Sequence, residues 1–134
     1  MFCCSTLAGI AIAQTGTSAV HALGYPLTYY KDLPHGLANG VTTKAALEFM
    51  AQDAPDRVKQ VIKAMGCHDL AEVGNLFNKV LPAVDIKLTA EEQARFVEKT
   101  LQAKNLTNCP RRPEEKDIYE MLRRSKRRYP LYTQ

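Results

Sequence analysis

Apolar residues recur at helical spacing along most of this chain, and no stretch alternates with period two for long enough to make a strand. The first periodic stretch, Ser5 to Leu23, is rich in small residues (Ala8, Gly9, Ala11, Ala13, Gly16, Ala19) that let neighbouring backbones come close. Pro26 predicts its end near Tyr25, because proline lacks the amide that would continue the helix and restricts the residue before it. A loop over 26–33 then leads to a helix from Pro34–His35 to about Ala51, with Leu37, Val41, Ala45 and Leu47–Phe49 as its apolar positions. Asp53 is placed to cap a third helix in which Val58, Val61, Ile62 and Met65 share one face, with Gly66 at its end. A fourth helix, Asp69 to Leu81, buries Leu70, Val73, Phe77 and Val80 before Pro82. Thr89 and Glu92 make a capping-box pattern opening a fifth, lined by Ala90, Ala94, Val97 and Leu101. After an irregular segment over 105–113, a last helix from Glu114 to Arg127 uses Ile118, Met121 and Leu122. The predicted fold is all-α, one domain of five to seven helices; 134 residues suffice for one core but not two.

Composition changes this picture in three places. Residues 1–30 carry no acidic side chain, lysine or arginine, so the first helix reads as a buried core helix. Its uncharged surface on all sides places it in the middle of something larger. Ala11–Ala13 mimics a signal-peptidase site, but no basic segment precedes it, and Gln14, Thr15, Thr17 and Ser18 interrupt the run too early for a membrane span. Second, the net charge of +4 is local: residues 1–110 hold ten bases and ten acids, whereas 111–128 hold eight bases against four acids. Without interleaved aromatic residues, a solvated helix end explains this run better than a nucleic-acid site, since basic residues suit a helix C-terminus. Third, the four cysteines (Cys3, Cys4, Cys67, Cys109) show no metal or redox spacing, which fits free thiols in a reducing cytoplasm.

Three histidines are present, and His68 reads as a surface or capping residue. His21 and His35 are fourteen residues apart, about 21 Å along one helix, so a shared metal requires the chain to double back between them. Pro26 and Pro34 supply breaks that allow it. His21 then falls in the last turn of one helix and His35 in the first turn of the next. Spacing alone permits a metal site but favours two ordinary polar histidines.

The flanking residues add to this. Leu7-Ala8-Gly9-Ile10-Ala11, Gly16-Thr17, Val20-His21-Ala22-Leu23-Gly24 and Leu33-Pro34-His35-Gly36-Leu37-Ala38-Asn39 together resemble the iron-containing alcohol dehydrogenase family. The stretch Asn108-Cys109-Pro110-Arg111 is similar to that family's C-terminal Asn-Pro-Arg segment, with Cys109 inserted or shifted. The resemblance implies the helical, dehydroquinate-synthase-like C-terminal domain over 1–134, and a dinucleotide-binding α/β domain upstream. It also implies Fe²⁺, or sometimes Zn²⁺, held by His21, His35 and an upstream Asp and His. NAD(P) would take the hydride from a small alcohol or diol in the cleft between the two domains.

Departures from the family pattern limit what this sequence would do alone. It contains no Gly-rich phosphate loop and neither upstream ligand, so weak metal affinity and an inactive isolated chain are expected. Asp32, three residues before His35, has the position of a further ligand but better suits the N-cap of the next helix. Tyr25 stands where many members carry a histidine that contacts substrate; its phenol offers a hydrogen bond but, with a pKa near 10, shuttles protons poorly. The expected partners are the upstream half of the enzyme or a second copy. The competing readings are a non-enzymatic helical interaction module with a basic C-terminal tail and, more weakly, nucleic-acid binding through Arg123–Arg128.

Overall fold

A computed structural model of the chain describes residues 2–125; the basic positions Lys126, Arg127 and Arg128, and the end of the predicted last helix, lie outside them. The described residues form seven α-helices and one short 3₁₀ helix, with no strand among them, as the periodicity predicts. In chain order these are α1 (Phe2–Thr15), α2 (Ala19–Lys31), α3 (His35–Met50), α4 (Pro55–Ala64), α5 (Leu70–Val80), α6 (Ala90–Leu101), the 3₁₀ helix (Lys104–Asn108) and α7 (Glu115–Ser125).

The main core lies between α2, α3, α6 and α7, where Leu23, Leu27, Ala38, Ala46, Phe96, Leu106 and Ile118 are fully buried. A smaller cluster of Leu47, Val58, Ile62 and Val73 packs α4 and α5 beneath α3. Arg111, in the Asn-Pro-Arg-like segment, ties the two regions together. It donates to Asp53 at 3.1 Å and Asp117 at 2.8 Å, and its guanidinium stacks 4.4 Å from the Phe49 ring centroid.

Several expectations need correction. The single first helix is two helices, divided at Gly16, whose φ of +71° breaks the helical path. The 3₁₀ helix holds this corner: Asn108 Nδ2 donates to Thr17 O at 2.7 Å and Asn105 Nδ2 to Thr17 Oγ1 at 2.9 Å. α1 is not a core helix of this chain, since it is exposed along its whole length. Its apolar residues have no element of the described chain to pack on.

The predicted break at Pro26 does not occur. Pro26 lies inside α2, which runs on to Lys31. A proline there removes the amide that would bond to the carbonyl of Ala22. Thr100 of α6 supplies the missing donor, its Oγ1 bonding Ala22 O at 3.3 Å in a buried environment. The chain reverses instead at residues 32–34, where Asp32 adopts a left-handed φ of 52° and closes α2. Asp32 is therefore a C-cap rather than the N-cap of the next helix, a left-handed position that Asp tolerates better than most residues. Likewise Asp53 pairs with Arg111, while Ala54 and Pro55 begin α4.

The face assigned to α6 is right at Val97 and at Leu101, which packs partly buried against the main core, and wrong at its alanines. Its buried residues are Phe96, Val97 and Thr100, with Ala90 and Ala94 exposed. Val61 and Val80 are exposed rather than core residues. The Thr89–Glu92 capping box forms as predicted.

Candidate metal centre

His21, Tyr25 and His35 form one cluster at the crossing of α2 and α3. His21 lies in the first turn of α2, not in the last turn of a preceding helix, and Tyr25 follows one turn later on the same face. His35 opens α3, which runs antiparallel to α2 after the reversal at 32–34. The reversal meets the requirement that the chain double back, although by Asp32 and Pro34 rather than Pro26.

The His21 and His35 ring centroids are 5.1 Å apart, with their planes at 61°. Tyr25 stacks on His35 at 5.7 Å and 16°, and meets His21 edge-on at 6.1 Å. A metal bonded to two imidazole nitrogens at about 2.1 Å lies about 3.2 Å from each ring centroid, so tetrahedral geometry separates the centroids by about 5.3 Å. The observed separation fits a shared ion. Burial, and next the neighbouring His35 ring, push His21 below the usual imidazole pKa. Both effects favour the neutral imidazole, the form that ligates metals.

The donor set goes no further than this pair. Among the described residues no group of three or more His, Cys, Asp or Glu is arranged to hold a metal. Asp32 is exposed and belongs to no such group. His68 is remote in role as well: its backbone amide bonds Glu72 at 2.8 Å beside the Asp69 cap of α5.

Asn39 is a site residue that sequence reasoning quoted without assigning it a role. Its Nδ2 lies 3.0 Å from His35 Nε2, and its buried Oδ1 has no partner in this orientation. The signal was the i, i+4 spacing from His35 on one helix. Gly24 lets Asn39 approach: a Cβ at position 24 would lie 3.2 Å from Asn39 Cγ and clash with Oδ1. Thr42 closes the same crossing, its Oγ1 3.3 Å from Val20 O.

The remaining charge cluster behaves differently. Arg123 and Arg124 both bond Glu120, and Arg124 reaches Glu48 at 2.7 Å. Those bonds hold Glu120 well below the carboxylate range, at about 2. The two described arginines of the 123–128 run are thus occupied within the fold.

A family model described as "Fe-containing alcohol dehydrogenase family, C-terminal" matches residues 1–126. The chain belongs to this family. The 1-propanol dehydrogenase of Salmonella typhimurium is 30% identical over 139 residues, a match covering 88% of this chain and 38% of that protein. Long-chain-alcohol dehydrogenase 1 of Geobacillus thermodenitrificans is 34% identical over 62 residues, covering 46% of this chain and 16% of its own length. The crystal structure of an iron-containing alcohol dehydrogenase from Thermotoga maritima superposes with a TM-score of 0.82 at 34% identity, covering 93% of this chain and 34% of that one. The matches therefore cover from 16% to 38% of the length of these relatives, and the part matched is the all-α C-terminal one.

Within the described residues no helix is long and apolar enough to cross a membrane.

Proposed function

We propose that this chain is the metal-binding helical part of an NAD(P)-dependent alcohol dehydrogenase of the reducing cytoplasm, acting on a small alcohol or its aldehyde. His21 and His35 would supply two ligands to Fe²⁺ or Zn²⁺. The observation that carries this reading is the 5.1 Å separation of the two imidazoles at the helix crossing. When bound, the ion would polarise the alcohol oxygen and the nicotinamide would accept hydride. The chain's own residues shape what surrounds that chemistry. Tyr25 covers one face of His35 and brings a phenol O–H beside the pair, where it can donate to a substrate oxygen.

Asn39 acts as a positioning residue for His35. A ligating imidazole keeps a proton on its other nitrogen and needs an acceptor for it. Turning the Asn39 amide over would offer the unpartnered Oδ1 to His35 Nε2–H and leave Nδ1 free to bind the ion. Asn39→Ala removes the acceptor while leaving Gly24 and both histidines in place. We expect metal affinity to fall by about tenfold or more, with the helical circular-dichroism spectrum retained. Affinity equal to wild type by calorimetric titration would show that Asn39 does not orient the ligand.

The expected partner is the upstream part that the relatives possess, seated on α1. Phe2, Leu7, Ile10 and Ile12 expose apolar surface there, and no charged side chain occupies the helix. Two protein ligands leave the coordination sphere unfinished until that part contributes its own. The test has two readouts: Fe and Zn content of the wild-type chain against His21→Ala/His35→Ala, and alcohol-dependent NAD(P) reduction with and without an upstream half supplied in trans. Metal bound only by the wild type, with activity only on mixing, is expected. Equal metal content in both chains, or no activity on mixing, would sink the proposal.

A further inference from the structure

Beside Tyr25, an open trough of about 320 Å³ lies between α2 and α6, lined by Ala22, Tyr25, Pro26, Tyr29, Tyr30, Lys99 and Ala103. That volume sits at the lower end of the range for small-molecule sites, about 300–1,000 Å³. At about 30 Å³ per water it holds roughly ten water-sized groups. Its walls are almost wholly apolar. Two are aromatic faces left open to solvent, with Tyr25 48% and Tyr29 78% exposed.

The floor is rigid. Tyr30 stacks on the buried Phe96 at 5.4 Å and 27°, so that wall is anchored in the main core. The rim is cationic. Lys99 projects from α6 into the lining and has no carboxylate partner among the described residues. One turn earlier, Arg95 lies over the Tyr30 ring at 5.7 Å and is likewise without an ion pair. Of the acids of this helix, Glu92 pairs with Lys31 and also feels the charge of Arg95, Glu98 accepts from the neutral Gln102 and keeps its charge, and Glu91 lies two turns before Lys99. An apolar trough with the unpaired ammonium of Lys99 at one edge has the complement of an amphiphilic anion: a hydrocarbon body and a single negative head.

We infer that this cavity is a binding site for a medium-chain carboxylate, with the chain lying along Tyr25, Pro26 and Tyr29 and the carboxylate at Lys99. The site shares Tyr25 with the histidine cluster but contains neither His21 nor His35, so binding does not require a metal and is read in the metal-free chain. Octanoate is the probe and octan-1-ol its uncharged counterpart of equal length. In a ¹⁵N-resolved NMR titration, octanoate should give saturable shifts at the amides of Ala22, Tyr29, Lys99 and Ala103. It should bind about threefold tighter than octanol, the modest factor expected of a solvent-accessible charge pair. Lys99→Ala should remove that preference and leave octanol binding intact. Tyr29→Ala should weaken both, because it removes wall rather than charge. The absence of saturable shifts at these amides, equal affinity for the two probes, or a preference that survives Lys99→Ala would each overturn the assignment. The spectrum of each variant reports whether it is folded before any ligand is added.

Discussion

Replacing Phe96 by alanine is expected to bring the domain close to unfolding. The ring is fully buried, and it stacks on Tyr30 of α2 while lying in the same cluster as residues of α3 and α7. Removing a phenylalanine from such a position costs about 3–5 kcal/mol, because the transfer energy is lost and the hole is only partly refilled. Whole domains are stable by only about 5–15 kcal/mol. The thermal midpoint followed by circular dichroism should therefore fall by more than about ten degrees. Val61→Ala makes the internal comparison: that side chain is 43% exposed on the outer side of α4, and its truncation should stay within about 0.5 kcal/mol. Similar losses for the two variants would contradict the packing described for α6.

The periodicity led to the right helix here but to only half of its buried face: Val97 and Leu101 turn to the core, Ala90 and Ala94 do not. Counting Ala90, Ala94, Val97 and Leu101 as the apolar stripe treats alanine as a core residue, whereas its small side chain is equally at home in solvent. The actual stripe, Phe96, Val97 and Thr100, contains a polar residue that periodicity discounts. By contrast, α7 reads correctly, because Ile118, Met121 and Leu122 are large and stand out from a charged background. The helix boundaries that depend on local chemistry divide in the same way. The Thr89–Glu92 capping box is a short-range pattern and is where the sequence puts it. The division at Gly16 depends on Asn105 and Asn108, roughly ninety residues away, and no local signal contains that.

The candidate site shows a similar split. Motif resemblance singles out His21, Tyr25 and His35, and the structure brings the three rings together. What sequence cannot supply is how α2 crosses α3. That depends on Gly24 opposite Asn39 and on Thr42 opposite Val20, contacts between helices whose register emerges only in three dimensions. The reading of α1 failed for a related reason. An uncharged helix is correctly read as one that wants burial, but whether this chain itself provides the burial is a tertiary question.

Thr100→Val should destabilise the domain by about 1–3 kcal/mol, the cost of leaving a buried carbonyl without a donor. The side chain is 1% exposed and valine matches its shape, so little packing changes. The carbonyl at issue belongs to Ala22, which loses its helical partner because residue 26 is proline. This account predicts a dependence between two positions on different helices. With Pro26→Ala, the new amide at 26 can bond Ala22 O directly, as in any helix interior. Thr100→Val should then cost about 1 kcal/mol less than it does beside proline, a coupling within the range seen for residues that share a partner. Denaturant unfolding of the wild type, both single variants and the double variant measures that coupling. Effects of Pro26→Ala on the unfolded chain and on the cavity wall enter both sides of the cycle and cancel. Equal costs for Thr100→Val in the two backgrounds would mean that the threonine does not replace the missing amide. The continuity of α2 through Pro26, which keeps Tyr25 and Tyr29 on one helix face, would then need another cause.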